Sequence, residues 1–380
     1  VDIPAGVSIG GGTGLTAGGT VELNIRGTNT ILRTGSIGGG SATGKDEKGN
    51  PYPIGSAKVN ITGGDITGQV VMAGGAGSQC TFDMSGGRIH DTDLINGNTI
   101  TDKNIEDPQP DVPIQYKRDN GGAVFMNDPN GKTTITGGTI EGCTAKNGGA
   151  IYMEGGTAHI DGGTISNNTA TNNGGGVYLP GGDFTLDGGT ISGNKADNNG
   201  GGIYLSKAPV LNKGTIASNT AKGDGGGMYI SDCVVELSPT DRVDITGNRA
   251  QNGAGIYIHD SDPDNSGGSG SSEKAIDAVS SGTVIPQGAV GLHVVKSESE
   301  NGFLRFADNI AETNGVAVCV DVGRFVLESD KIAVTGNKAT NGGGVAVLNG
   351  AFILNGGNVG VEKASPNNAV RGGGVFVEAE

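Results

Sequence analysis

The sequence predicts an all-β fold, a single right-handed parallel β-helix. Three observations carry this: a glycine-rich motif returning every 25 to 28 residues, apolar pieces only 3–6 residues long between turns, and 4% aromatic content. The motif is clearest as Gly174-Gly175-Gly176-Val177-Tyr178-Leu179, repeated as Gly200-Gly201-Gly202-Ile203-Tyr204-Leu205 and Gly225-Gly226-Gly227-Met228-Tyr229-Ile230. Its starts fall at 121, 148, 174, 200, 225 and 253, and it returns at 342 and 372. A second motif follows in step, as in Gly162-Gly163-Thr164-Ile165 and Gly188-Gly189-Thr190-Ile191. Apolar pieces this short, broken by Gly-Gly and Asn-Gly, make strands and tight turns rather than helices. No single unit can bury its own apolar face, so successive units stack, each strand pairing in parallel with its equivalent one turn away. Parallel connections favour the right-handed sense.

A third column is an asparagine two residues before an alanine: Asn168, Asn194, Asn219, Asn248, Asn309, Asn337 and Asn367, with Cys143 in the coil before Asn168. A turn asparagine that bonds the asparagine of the next coil forms a continuous ladder, so this column is expected to be structural. About 12 coils are expected over residues 1–380, read as one domain. Residues 1–120 form irregular N-terminal coils with an acidic insertion near 93–120. Regular coils span 121–258, a second acidic, Gly/Ser-rich insertion occupies 259–287, and C-terminal coils fill 288–380. The chain opens on Val1-Asp2-Ile3-Pro4 and ends partway through a coil, so a trimmed segment whose natural protein continues past Glu380 is the expectation.

Composition narrows the partners. The chain of 380 residues has 75 Gly, no Trp and a net charge of -15. Nucleic acid and anionic membrane surfaces need a basic footprint, which this charge disfavours. No apolar run of about 18 residues offers a membrane span. Cys80, Cys143, Cys233 and Cys319 fall in different coils and mostly different columns, and are read as isolated small residues rather than a disulfide or metal set.

Two features are candidates for binding. Strand alternation turns Tyr152, Tyr178, Tyr204, Tyr229 and Tyr257 outward between inward aliphatics, forming with Phe125 a six-rung aromatic stripe. Such a stripe suits a sugar or protein surface; it is also what a self-stacking ladder looks like. Asp260, Asp262 and Asp264 alternate like the start of a calcium loop, although Asn265 and Ser271 stand where such a loop needs Gly and Glu. A solvated acidic turn is the competing reading. Calcium is the only cofactor suggested.

The unit Ile191-Ser192-Gly193-Asn194-Lys195-Ala196, followed by Gly200-Gly201-Gly202-Ile203, resembles the repeat of chlamydial polymorphic outer membrane proteins and related bacterial adhesin-like β-helix proteins. Those repeats usually carry Phe where this chain has Ile. The resemblance covers residues 120–258 well and 309–377 moderately. It implies a secreted or surface-displayed, often adhesive segment, and it transfers no functional residue. The expected function is a non-catalytic extracellular or bacterial cell-surface adhesin or stalk, with a surface glycan or protein as partner.

The alternative is a carbohydrate-active enzyme, a glycoside hydrolase or polysaccharide lyase, since pectin lyases and polygalacturonases use the same architecture. The paired Asp residues and Gly-His-Gly segment of polygalacturonase-like enzymes do not appear. Asp161 and Asp187 share a column in adjacent coils, a placement that suggests carboxylates at retaining-glycosidase spacing. Both precede Gly-Gly, where Thr136 and Asn212 stand in neighbouring coils, so turn capping explains them equally. The histidines (His90, His159, His259, His293) fall at different repeat positions. Ice binding by a flat threonine array is weaker, because Thr139, Thr164, Thr190 and Thr215 supply one column only.

Overall fold

A computed structural model describes residues 8–10, 21–26, 31–38, 57–73, 79–92, 119–261, 290–356, 359 and 366–378. The described residues form strands and turns, with no helix among them. Strand pairing is parallel, between elements one coil apart. The architecture is a right-handed parallel β-helix.

One coil shows how the repeat becomes structure. Val177–Leu179 is a three-residue strand with Val177 and Leu179 buried and Tyr178 between them on the outside. Asp183–Ser192 follows as a ten-residue strand that bends at Gly188-Gly189. Gly189 has φ +74°, and a Cβ on Gly188 would lie 2.5 Å from the Asp161 carbonyl oxygen, so this corner needs the glycine pair. Lys195–Ala196 is the third strand, and the chain returns to Ile203–Leu205 directly above its start. Equivalent residues therefore lie over one another: Ile165, Ile191 and Ile216 inside, Thr164, Thr190 and Thr215 outside. One apolar cluster runs along the axis from Ile25 to Val347, lined mostly by Ile, Val, Leu and Met, with Phe82, Phe184, Phe306 and Phe325 among its largest buried side chains.

The asparagine column is a ladder along the interior. Asn168, Asn194, Asn219, Asn248, Asn309 and Asn337 are fully buried. Each donates its amide to the side-chain oxygen of the next, at 2.9–3.1 Å from Asn168 through Asn367. Each also donates to a carbonyl of the preceding coil, as Asn194 does to Ile165 (3.0 Å). Cys143 closes the ladder with its backbone N–H on Asn168 Oδ1 (3.0 Å).

The described coils on either side of the two insertions stay in register. Thr144 N–H bonds the Thr92 carbonyl across the first (2.7 Å). Across the second, Val234–Leu237 pairs with Gly291–Val294, while Met228–Ser231 pairs with Ile256–His259. His259, placed by the repeat at the start of the insertion, still pairs with Ser231, so the regular strand includes that residue.

The cysteines are free. Burial raises Cys80 and Cys143 to about 11 and Cys233 to about 12, and it pushes Cys319 up as well, so all four stay protonated thiols.

Candidate functional site

The outward columns decide what the rod offers a partner. In the aromatic column Phe125, Tyr152, Tyr178, Tyr204, Tyr229 and Tyr257 stack one on the next, with ring centroids 4.8–5.6 Å apart and planes within 22°. This follows from the register, which sets each Tyr directly over its equivalent. The interior rings spend both faces on one another. Tyr152, Tyr178 and Tyr204 are half-buried, whereas Tyr229 and Tyr257 are each only 6% exposed and sit in a small cluster with Cys319 and Ala346. Tyr152 Oη donates to Glu154 (3.1 Å). Burial raises the phenols of Tyr152, Tyr178, Tyr204, Tyr229 and Tyr257, so they remain hydroxyl donors at any ordinary pH.

Asp260 is buried beside the last regular coil, with Ser261 N–H bonded to Asp232 (2.8 Å). Asp262 and Asp264 lie outside the described residues. Among the described residues no group of three His, Cys, Asp or Glu side chains is placed to hold a metal ion.

Asp161 and Asp187 are not aligned. A register shift at the Gly-Gly bend sets Asp161 against Gly188, which displaces the two carboxylates from a common rung. Asp187 instead accepts from His159 Nε2 (2.7 Å) and Asn212 Nδ2 (2.6 Å). The same arrangement recurs at each histidine: His90 contacts Asp65 (2.8 Å), His259 contacts Asp321 (2.9 Å) and His293 contacts Glu328 (3.1 Å), each in a neighbouring coil.

His259 is the histidine with a clear electrostatic signature. The hydrogen bond from its Nδ1 to Asp321 raises it above the ordinary 6.5; burial opposes this, and the charges of Asp321, Asp232 and Asp260 add to it. A raised folded-state value means that the pair's stabilisation is complete below the unfolded value, about 6.5, and fades as pH rises through the folded one. The difference in urea midpoint between wild type and His259→Gln is therefore expected to be largest below about pH 6.5 and to shrink as pH is raised through the folded-state value. A difference that is constant across that range would contradict the assignment.

On the N-terminal coils a groove of about 480 Å3 opens to solvent, lined by Glu22, Asn24, Arg26, Asn60, Thr62, Asp83, Met84, Ser85, Thr134 and Thr136. Its residues come from Val21–Ile25 with the following Arg26, Ala57–Ala73, Thr81–His90 and Lys132–Glu141, strands of successive coils; Met84 is a core side chain at its floor and the others stand outward. Asn24, Asn60, Asp83 and Thr134 occupy one rung position in adjacent strands. Asn60 donates to Asn24 (2.8 Å) and Glu22 (3.1 Å), and Lys58 stands 3.7 Å from Glu22. Asp83, Ser85, Thr134 and Thr136, by contrast, bond no other described side chain. The repeat did not reveal this groove, because it lies in coils where the motif is weakest; the recurrent Val21-Glu22-Leu23-Asn24-Ile25 and Val59-Asn60-Ile61 alternation was the available signal.

Among the described residues no helix is long and apolar enough to cross a membrane. No curated protein and no solved structure matches the chain. A family model described as a right-handed β-helix region matches residues 122–288, a span that includes the coils in which the asparagine and tyrosine ladders are most regular.

Proposed function

We propose that this chain is a non-catalytic binding rod, an adhesin or stalk segment of an extracellular or bacterial cell-surface protein, whose partner is a surface glycan or protein. One observation carries the reading. In the regular coils Asp187, Asp183 and Asp197 are held by neighbouring side chains, and the concavity on the N-terminal coils is an open groove rather than an enclosed pocket. The carboxylate that an enzyme reading needs, Asp187, is already held by His159 and Asn212. The likeness of the Ile191–Ala196 unit to bacterial adhesin-like repeats supports surface display, and the charge of -15 fits a solvated surface segment.

The test is incubation of the chain with immobilised polysaccharides and with intact cells, following retention and release of sugar ends together. Saturable retention without new reducing or unsaturated ends is the expected result. Time-dependent release of such ends, abolished in Asp187→Asn, would overturn it.

A further inference from the structure

From the groove we infer that the glycan-binding site lies on the N-terminal coils, not on the tyrosine stripe, and takes a neutral oligosaccharide laid along the rod axis. This rests on the binding reading above. The first support is the contrast between the two surfaces. The tyrosines have committed their ring faces to one another, so none offers a free platform within the stack. The groove instead presents side chains that bond no other described residue: the half-buried Asp83 carboxylate and the hydroxyls of Ser85, Thr134 and Thr136.

The second support is chemical type. A carboxylate accepts from two hydroxyls at once, while threonine and serine hydroxyls both donate and accept, a set matched to a polyol. Met84 is the one apolar lining residue, which leaves no anchor of the kind a protein partner buries. The third support is charge. Glu22 is offset by Lys58 at 3.7 Å, and Arg26 and Asp83 are one cation and one anion among the lining residues, so the groove carries no net charge to attract an ionic ligand. An anionic uronate chain would set its carboxylates against Asp83 and against a chain of charge -15. The lining spans four adjacent strands, about 14 Å at the usual strand spacing, room for several sugar units.

The probe is an array of neutral hexose and N-acetylhexosamine oligosaccharides, with oligogalacturonate as the anionic control and a Lys-rich peptide as the cationic one. Retention of neutral oligosaccharides is expected. It should fall about tenfold in Asp83→Ala and in the doubly substituted Thr134→Val, Thr136→Val chain, while Tyr178→Phe with Tyr204→Phe leaves it unchanged. Urea midpoints of these surface variants should match wild type, which separates lost contacts from lost folding. Neutral-glycan retention that survives both groove variants overturns the inference alone, as does preference for oligogalacturonate or the peptide. Absence of retention on every arm, and on intact cells, overturns the binding reading with it.

Discussion

Replacing Asn219 by alanine is expected to destabilise the rod by about 4 kcal/mol, at about 1 kcal/mol for each of the hydrogen bonds lost. Asn219 Oδ1 accepts from the backbone and side-chain N–H groups of Asn194 (both 3.0 Å), and its amide donates to Ile191 O (3.0 Å) and Asn248 Oδ1 (3.1 Å). All of this occurs at a fully buried position, where no water replaces the missing partner. The backbone bonds remain: the Asn219 N–H donates to Asn248 Oδ1 (2.9 Å) and its carbonyl accepts from Arg249 N–H (2.8 Å). Asn219→Asp sharpens the test. It retains an acceptor for Asn194 but sets oxygen against the oxygens of Ile191 and Asn248. The aspartate variant is therefore expected to recover stability as pH falls, when a protonated carboxyl can again donate. Urea unfolding followed by far-ultraviolet circular dichroism reads both variants. A midpoint for Asn219→Ala indistinguishable from wild type would contradict the ladder's role.

Gly201→Ala is expected to cost about 3 kcal/mol or more, although Gly201 does not have a left-handed backbone. An added Cβ would meet Gly226 O and Thr220 C, each at 2.5 Å, and Thr220 N at 2.7 Å. These are backbone atoms, and no side chain can swing away to relieve them. The close approach arises where the Gly-Gly-Gly turn of one coil nests against the third strand of the next, which explains why glycine recurs at 149, 175, 201 and 226. Gly155→Ala is the control: its Cβ would come no nearer than 3.4 Å to Pro129, and a shift within about 0.5 kcal/mol is expected. Equal effects at the two positions would mean that the coils are not in van der Waals contact there.

These two positions show why the fold was legible in the sequence. Stacking forces equivalent residues to meet, so a structural requirement at one rung is imposed on every rung and appears as a column. The interior asparagines, the inward Ile of Gly-Gly-Thr-Ile and the outward tyrosines were all readable in this way. A second ladder was missed. Asn120, Asn147, Asn173, Asn199, Asn252, Asn314 and Asn341 precede the glycine motif and link through bonds such as Asn147 to Asn120 (3.0 Å) and Asn341 to Asn314 (2.9 Å). Asn-Gly reads as a turn signal, and that reading concealed the stacking.

Asp224 interrupts this second ladder. Its backbone N–H still bonds Asn199 (2.9 Å) and its carboxylate accepts from Asn252 (2.8 Å), while burial raises it above the usual carboxylate range. The candidate site was less legible for the opposite reason. His159 meets Asp187 diagonally, two residues beyond its register partner Thr185, and this contact occurs once along the column rather than as a repeat. The groove of Asp83, Thr134 and Thr136 lies where the period is irregular, so no column marked it. Structural duty is repeated along this chain, whereas the groove's combination of groups is local.

That division of labour is the account's central claim, and one side-by-side measurement tests it: urea midpoint and neutral-oligosaccharide retention, both recorded for Asn219→Ala and Asp83→Ala. Asn219→Ala is predicted to lose stability while, under conditions where it remains folded, retaining the ligand as wild type does. Asp83→Ala is predicted to lose retention and keep its midpoint. An Asp83→Ala chain that unfolds early yet binds normally, or a folded Asn219→Ala chain that no longer binds, would contradict the account.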